Sequence, residues 1–274
     1  MTLLAEVDSG IAPALADLFV VSGEGDECYA DTKVISTPSI FGGQLFGLSV
    51  VAATRSPDGV FIPVSLQAQL LDRGEAGSGI DISVSTLRDG RSTRHRRLTV
   101  SQGERTIATV QVSLETIPED GALSTAAAPR LDVTPPASSD HRSPFVACWG
   151  FAEVEVSHQD HEAIHPFWVK PRVDLPDDPA LHAAAIAFVS DMALVLVAHE
   201  AGGDPSATPL TVDHAIWFHG VPRFDDWLFL DARLSSRHGD HALVVATITS
   251  AVGELVATVC QGVRLRRTRS NRPL

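Results

Sequence analysis

Three polar residues in the last third of the sequence could together activate a water molecule. Asp213 lies in TVDHAIWFHG (residues 211–220), Ser235 in LDARLSS and Gln261 in LVATVCQGVRL. A carboxylate can take a proton from water while a hydroxyl and a primary amide hold that water in place. Because each residue lies in a segment rich in β-branched or aromatic residues, we expect three strands to position them. The trio predicts a hydrolytic site.

The bulk composition bounds what the rest of the chain can be. The chain has 274 residues, 44% hydrophobic and 20% charged, which is typical of a globular protein with room for two domains. Its net charge of −13 disfavours a nucleic-acid partner. Three widely spaced cysteines without a CxxC pair indicate reduced thiols and a cytoplasmic protein. Without a signal peptide or a run of 18 apolar residues, we expect no membrane span.

The first half of the chain predicts helices followed by a strand meander. Residues 4–20 have helical spacing, residues 27–35 read as a strand, and residues 38–54 are apolar nearly all round with glycines at 42, 43 and 47. A helix that is apolar on every side must be enclosed. The hydrophobic period then changes to two. The predicted strands are residues 61–71, 79–89, 92–102 and 105–117.

The second half repeats this order after a Pro-, Ala- and Ser-rich linker at residues 118–144. Asp177-Asp-Pro-Ala offers an aspartate N-cap with proline in the first turn of a second apolar helix, residues 180–200. The predicted strands are residues 165–173, 211–219, 227–235, 242–250 and 254–266. The fold class is therefore α+β, with domains at 1–117 and 145–274, each an antiparallel sheet wrapped around a central helix.

An internal duplication makes two of the polar residues unusual. Pairing residue n with n+149 aligns 64–114 with 213–263 without a gap and gives six identities. In this register Gln261 replaces Val112 and Asp213 replaces Val64, both at core-type positions, while Ser235 matches Thr86. A buried amide or carboxylate needs partners. The pattern favours a site kept in one copy; a structural polar cluster, or an Asp213 side chain that reaches solvent, is the alternative.

Several motifs resemble the acyl-CoA thioesterase II family over about residues 35–267. They are FGGQLFG (41–47), STLRDGRS (85–92), LPDDPALHAAAIAFVSD (175–191), VDHAIWFH (212–219) and VATVCQGVRLR (256–266). The resemblance implies a double hotdog fold, an acyl-CoA substrate and no cofactor. In that family an Asp, a Ser or Thr, and a Gln orient the hydrolytic water. By motif these are Asp213, Ser235 (or Ser236) and Gln261.

The resemblance also suggests where the substrate lies. We expect the thioester carbonyl between the two repeats, with oxyanion donors from the backbone of Gly42, Gly43 and Gln44. Asp191, near the middle of the second helix, is the second candidate for the base, and Trp217 is a candidate for lining the acyl tunnel. We expect a homo-oligomer. The alternative function is a non-catalytic protein that binds acyl-CoA or an acyl carrier.

Two further clusters allow competing interpretations. The histidines and acids of residues 158–165 could hold a metal, but their spacing matches no zinc motif, so a solvated loop is favoured and no metal is predicted. The arginines of RDGRSTRHRR (residues 88–97) could meet coenzyme A phosphates or form a solvated strand face. The solvated face is favoured.

Overall fold

The structure is a computed structural model that describes residues 14–35, 37–55, 61–117, 134–136, 151–158, 164–200 and 207–266. These described residues contain three α-helices, α1 (Gly42–Thr54), α2 (Pro179–Ser190) and α3 (Leu194–Glu200), and a 3-10 turn at Leu15–Phe19. The first six strands are β1 (Ser22–Glu24), β2 (Glu27–Asp31), β3 (Phe61–Leu70), β4 (Gly79–Asp89), β5 (Thr93–Gln102) and β6 (Arg105–Thr116). The last six are β7 (Val154–His158), β8 (Phe167–Pro171), β9 (Thr208–Phe218), β10 (Leu228–His238), β11 (His241–Ser250) and β12 (Leu255–Arg266).

All twelve strands form one antiparallel sheet, in the order β1-β2-β4-β5-β6-β3-β9-β12-β11-β10-β8-β7. Each half of the chain supplies six strands, and β3 pairs with β9 to join the halves. Hydrophobic side chains from the inner face of both halves and from the helices form one large core. The α+β class is confirmed, and the two predicted sheets are continuous with each other.

The helices of the two halves pack directly against each other. A Cβ at Gly43 would lie 2.3 Å from the Phe188 carbonyl oxygen, and one at Gly47 would lie 3.0 Å from that of Ala184. Because glycine lacks this atom, α1 and α2 approach closely and run antiparallel. By length and composition Pro179–Glu200 could cross a membrane, yet 72% of its most apolar segment is buried within the protein. It is a core segment, which explains its hydropathy.

The predicted elements agree with most of this architecture. The four predicted strands of each half are confirmed within three residues at their ends, and Asp178 caps α2 by accepting from Ala180 N at 2.9 Å. The predicted meander order was wrong, because β3 pairs with β6 and β9 with β12. The predicted helix at 180–200 is divided by Asp191–Ala193 into α2 and α3, and only Leu15–Phe19 of the predicted first helix is helical in the described residues. Strands β1 and β7 were not predicted. Most of the predicted linker at 118–144 lies outside the described residues.

Strand pairing corrects the register of the duplication. Ser65 pairs with Ser113 on β6, and Asp213 pairs with Gly262, the equivalent residue of β12 at an offset of 149. Asp213 therefore corresponds to Ser65, and the offset between β3 and β9 is 148. The offset becomes 149 only after the β11–β12 turn, which has three residues where the β5–β6 turn has two. The gapless alignment with Val64 was therefore wrong by one residue. In the corrected register, Ser235 matches Leu87, and both lie at β-bulges.

Candidate functional site

The structure does not bring the predicted trio together. Gln261 pairs with His214, and its neighbour Gly262 pairs with Asp213, so Gln261 and Asp213 project from opposite faces of the sheet. Asp213 is exposed and accepts a hydrogen bond from Gly262 N at 3.2 Å. Ser235 is also exposed, on β10, which is separated from β12 by β11. Asp213 is therefore not at a core position. The gapless alignment was wrong by one residue and had assigned Asp213 to the opposite face of its strand.

Gln261 is the centre of a buried hydrogen-bonded cluster on the inner face. Its Oε1 lies 2.7 Å from His214 Nδ1, and its Nε2 donates to Thr211 Oγ1 at 3.1 Å. His214 Nε2 lies 2.9 Å from Ser190 Oγ, and the imidazole stacks on Phe46 with ring centroids 4.4 Å apart. The amide is fully buried. The expectation that a buried Gln261 has partners is confirmed, although the partners are not the predicted ones.

His214 is neutral at physiological pH. Burial lowers its pKa from 6.5 to about 4, against a smaller opposite effect of the Gln261 side chain. A neutral imidazole has one donor and one acceptor nitrogen. With Nδ1–H donating to Gln261 Oε1, Nε2 is an acceptor that faces the Ser190 hydroxyl, whose single proton is shared between Nε2 and Ala187 O at 2.8 Å. The cluster is thus a continuous hydrogen-bond chain from α2 through β9 to β12.

Asp191 lies where the helices of the two halves meet. It follows the last residue of α2, is 6% exposed, and its Oδ2 accepts from Gly43 N, in the first turn of α1, at 3.0 Å. Burial raises its pKa from 3.8 to about 7, while the hydrogen bond from Gly43 and the smaller effect of the Gln261 amide act in the opposite direction. Its Oδ1 has no hydrogen-bond partner among the described residues. A buried carboxylate that titrates near neutral pH and has a free oxygen is suited to accept a proton from water.

Two local backbone features hold this carboxylate in position. A Cβ at Gly42 would lie 2.6 Å from Asp191 Oδ2, so any larger residue at position 42 would displace the carboxylate. Ala193, in the break between α2 and α3, has φ +65°, a left-handed conformation that is unfavourable for a residue other than glycine. The break follows Ser190, the last residue of α2, and Asp191 at the start of this break contacts the first turn of α1.

The predicted oxyanion donors are largely engaged within the protein. Gly43 N donates to Asp191, and Gln44 N donates to Phe41 O at 3.0 Å. The Gln44 side chain is buried, where its Oε1 accepts from Lys33 N and its Nε2 donates to Leu18 O. Of the three predicted donors, only Gly42 N has no partner among the described residues. The expected set is thus reduced to Gly42.

The remaining predicted residues lie away from this cluster. Trp217 is 39% exposed and lies on the same face of β9 as Asp213, opposite His214. His158 lies in β7 with Nε2 3.2 Å from Ile164 O, and His165 Nε2 lies 3.3 Å from Met192 O. The described residues include no group of three potential metal ligands, and residues 159–163 of the histidine-rich segment lie outside them.

Sequence reasoning missed three members of the cluster: Ser190, Thr211 and His214. A signal for His214 was present, because a residue one position from Asp213 must project from the opposite face. That face is the one occupied by Gln261, once the strands pair in the observed register. No pattern on the helix distinguished Ser190 from a core residue.

Comparison with known proteins assigns the chain to a family. Residues 34–115 match the model of the acyl-CoA thioesterase N-terminal domain, and residues 118–265 match that of the C-terminal domain. The chain belongs to the acyl-CoA thioesterase family. A curated relative, acyl-CoA thioesterase 2 of Haemophilus influenzae, is 26% identical over 81% of this chain and 86% of its own.

Solved structures agree with this assignment. Acyl-CoA thioesterase II TesB2 from Mycobacterium marinum is 28% identical, with a TM-score of 0.73 over 94% of this thioesterase chain and 98% of its own. A hot dog fold protein from Alicyclobacillus acidocaldarius has a TM-score of 0.72 at 21% identity, covering 94% and 98% of the two chains. The second likeness supports the fold alone, which is the hotdog fold of thioesterases.

Proposed function

We propose that this protein hydrolyses acyl-CoA thioesters to a free acid and coenzyme A, with Asp191 as the general base. The single observation that carries the assignment of the base is the buried Asp191 carboxylate at the start of α1, with its pKa raised to about 7 and Oδ1 unpartnered. Family membership supports the reaction class. We further propose the double hotdog assembly, a homo-oligomeric state and a cytoplasmic location.

The chemistry follows from the positions of these groups. A water held by Asp191 Oδ1 loses a proton to the carboxylate as its oxygen attacks the thioester carbonyl. Gly42 N–H, at the positive end of the α1 dipole, stabilises the negative charge that develops on the carbonyl oxygen. Collapse of the tetrahedral intermediate breaks the C–S bond, and the proton on Asp191 passes to the departing sulfur. The products are the acid and the thiol, and the carboxylate is regenerated.

Gln261 supports the base from the sheet. Its Oε1 lies 2.7 Å from His214, its Nε2 donates to Thr211 at 3.1 Å, and it lowers the pKa of Asp191. These contacts fix the amide rigidly, so that its dipole favours the ionised carboxylate. In this mechanism Gln261 positions and stabilises the base.

The family resemblance supports a different assignment of the base. By the family motifs, Asp213 would activate the water together with Ser235 and Gln261. These three roles stay predictions. In the described conformation Asp213 is on the outer face, with its carboxylate on Gly262 N. The two aspartates are therefore the residues to compare.

A thiol-release assay on wild type, Asp191→Asn and Asp213→Asn separates these assignments. We expect Asp191→Asn to lower kcat by about 10²–10⁴-fold, as removal of a general base does, and Asp213→Asn to stay within a few-fold of wild type. The reverse pattern would move the base to Asp213. If wild type bound acyl-CoA without releasing thiol, the protein would be a binding protein, and the proposal would be wrong.

A further inference from the structure

A surface pocket with a basic lining lies at the β4–β5 hairpin, at a different place in the fold from the Asp191 cluster. Its volume is about 320 Å³, near the lower end for small-molecule sites. It is lined by Arg88, Gly90, Arg91, Ser92, Thr93 and His95. These residues offer two guanidinium groups, two hydroxyls and an imidazole, all of which can bind an anion.

The hairpin has a charge opposite to that of the whole chain. Residues 88–97, RDGRSTRHRR, contain five arginines and one aspartate, in a protein with a net charge of −13. The aspartate is engaged, because Arg96 Nη1 lies 2.6 Å from Asp89 Oδ1. Arg88 and Arg91 are exposed, and neither forms an ion pair with any acid that the structure describes. Their charge is therefore available to a ligand.

The second repeat shows that the fold itself does not require these arginines. In the strand-pairing register of 148, the positions of Arg88 and Arg91 are occupied by Ser236 and Gly239. Arg94, Arg96 and Arg97 correspond in turn to Ala242, Val244 and Val245. The same hairpin thus forms without a single equivalent arginine. Arg94 and Arg96 pair with Asp89, whereas Arg88 and Arg91 line the pocket without an acidic partner among the described residues. These two charges point to a ligand, because the other repeat folds without them.

We propose that this hairpin pocket binds a ligand that carries two or more phosphate groups, held by Arg88 and Arg91. Arginine binds phosphate oxygens through paired N–H donors, and two such groups on one hairpin suit a diphosphate. The hydroxyls of Ser92 and Thr93 line the same pocket and can donate to the remaining oxygens. The phosphates come either from the nucleotide end of the coenzyme A substrate or from a separate nucleotide. Only the first source rests on the proposed function.

The test compares an Arg88→Ser/Arg91→Ala double variant with wild type by calorimetric titration of the full chain. The matched control is Arg237→Ala, on the β10–β11 hairpin of the other repeat. The probes are coenzyme A, ADP, inorganic pyrophosphate and pantetheine, which lacks the phosphates. We expect the double variant to bind the three phosphate ligands at least tenfold more weakly. In wild type and in the control variant alike, affinity for the phosphate ligands should fall steeply with added salt. The control should match wild type for every ligand, and pantetheine should bind equally to wild type and the double variant.

Kinetics with acyl-CoA and acyl-pantetheine distinguish the two sources. A KM that rises in the double variant for acyl-CoA, but not for acyl-pantetheine, assigns the pocket to the substrate. Weaker ADP binding with an unchanged KM assigns it to a separate nucleotide. Phosphate-ligand affinities that are equal in wild type and double variant, or too weak to measure in both, overturn the proposal. Since the titrations need no turnover, they stand even if the thiol-release assay fails.

Discussion

The backbone nitrogen of Gly43 and Oδ2 of Asp191 lie 3.0 Å apart, and this contact joins the start of one repeat's helix to the end of the other's. The positive end of the α1 dipole favours an ionised carboxylate, while the carboxyl end of α2 disfavours it. Burial dominates, and the pKa rises to about 7. The site between the repeats therefore holds a base that changes its protonation state near neutral pH. Both repeats are needed, because one provides Asp191 and the other provides Gly43.

The pH dependence of turnover follows from this pKa. If Asp191 is the base, kcat should rise about tenfold per pH unit below pH 7 and level off above it, since only the carboxylate accepts a proton. The measurement is thiol release between pH 5 and 9. Asp191→Asn should remove the inflection together with most of the rate. A wild-type profile without an inflection near pH 7 would contradict Asp191 as the base.

Stability should depend on pH in the opposite sense to activity. A carboxyl whose folded pKa is raised from 3.8 to about 7 binds more protons in the folded state between these values. Its favourable contribution to the free energy of unfolding is fully present below pH 3.8 and is lost as pH rises through about 7. The loss is about 4 kcal/mol, from roughly three pKa units.

Urea unfolding of wild type and Asp191→Asn at pH 4.5 and pH 8 measures this effect. We expect the free energy of unfolding of wild type, relative to the variant, to fall on going to the higher pH. A difference that stays constant over this range would contradict a buried, titrating Asp191.

Two glycines of α1 should separate catalysis from packing. A Cβ at Gly42 would meet Asp191 Oδ2 at 2.6 Å, so Gly42→Ala should displace the base and lower kcat by tenfold or more. A Cβ at Gly47 would meet the Phe19 ring at 2.3 Å, so Gly47→Ala should reduce stability by about 1–3 kcal/mol through overpacking. Thiol release and urea unfolding on both variants give the comparison. Equal activity losses in both variants would show that the helix as a whole, not Asp191, had been disturbed.

The sequence was informative where side-chain periodicity decides the structure. Alternation predicted the four long strands of each half, although not the pairing of the first of these strands with the last. An amide on an apolar face identified Gln261 as a residue with buried partners. It failed at Asp213, because a single extra residue in the β11–β12 turn changes the repeat register, and a shift of one inverts the face of a strand residue. Asp191 and Gly43 are separated by 148 residues in the sequence, and no local pattern predicts such a long-range contact.

The first repeat supplies a natural replacement for the buried pair His214–Gln261. At the corresponding positions it has Leu66 and Val112, which pair in the same way on β3 and β6. Gln261→Val alone leaves His214 Nδ1 buried without its partner, which should cost about 1–3 kcal/mol. His214→Leu alone similarly leaves the Gln261 amide oxygen without its partner. The double variant has no unpartnered polar side chain at either position. It should therefore be more stable than the sum of the single effects, with a coupling of about 1–3 kcal/mol in a double-mutant cycle.

Activity should not recover with that stability. The double variant restores an apolar pair but still lacks the amide that supports Asp191, so its kcat should stay at least tenfold below wild type although its free energy of unfolding recovers. Urea unfolding and thiol release on the four members of the cycle test this. Recovery of kcat along with stability would show that the His214–Gln261 pair is a structural polar cluster with no part in the reaction.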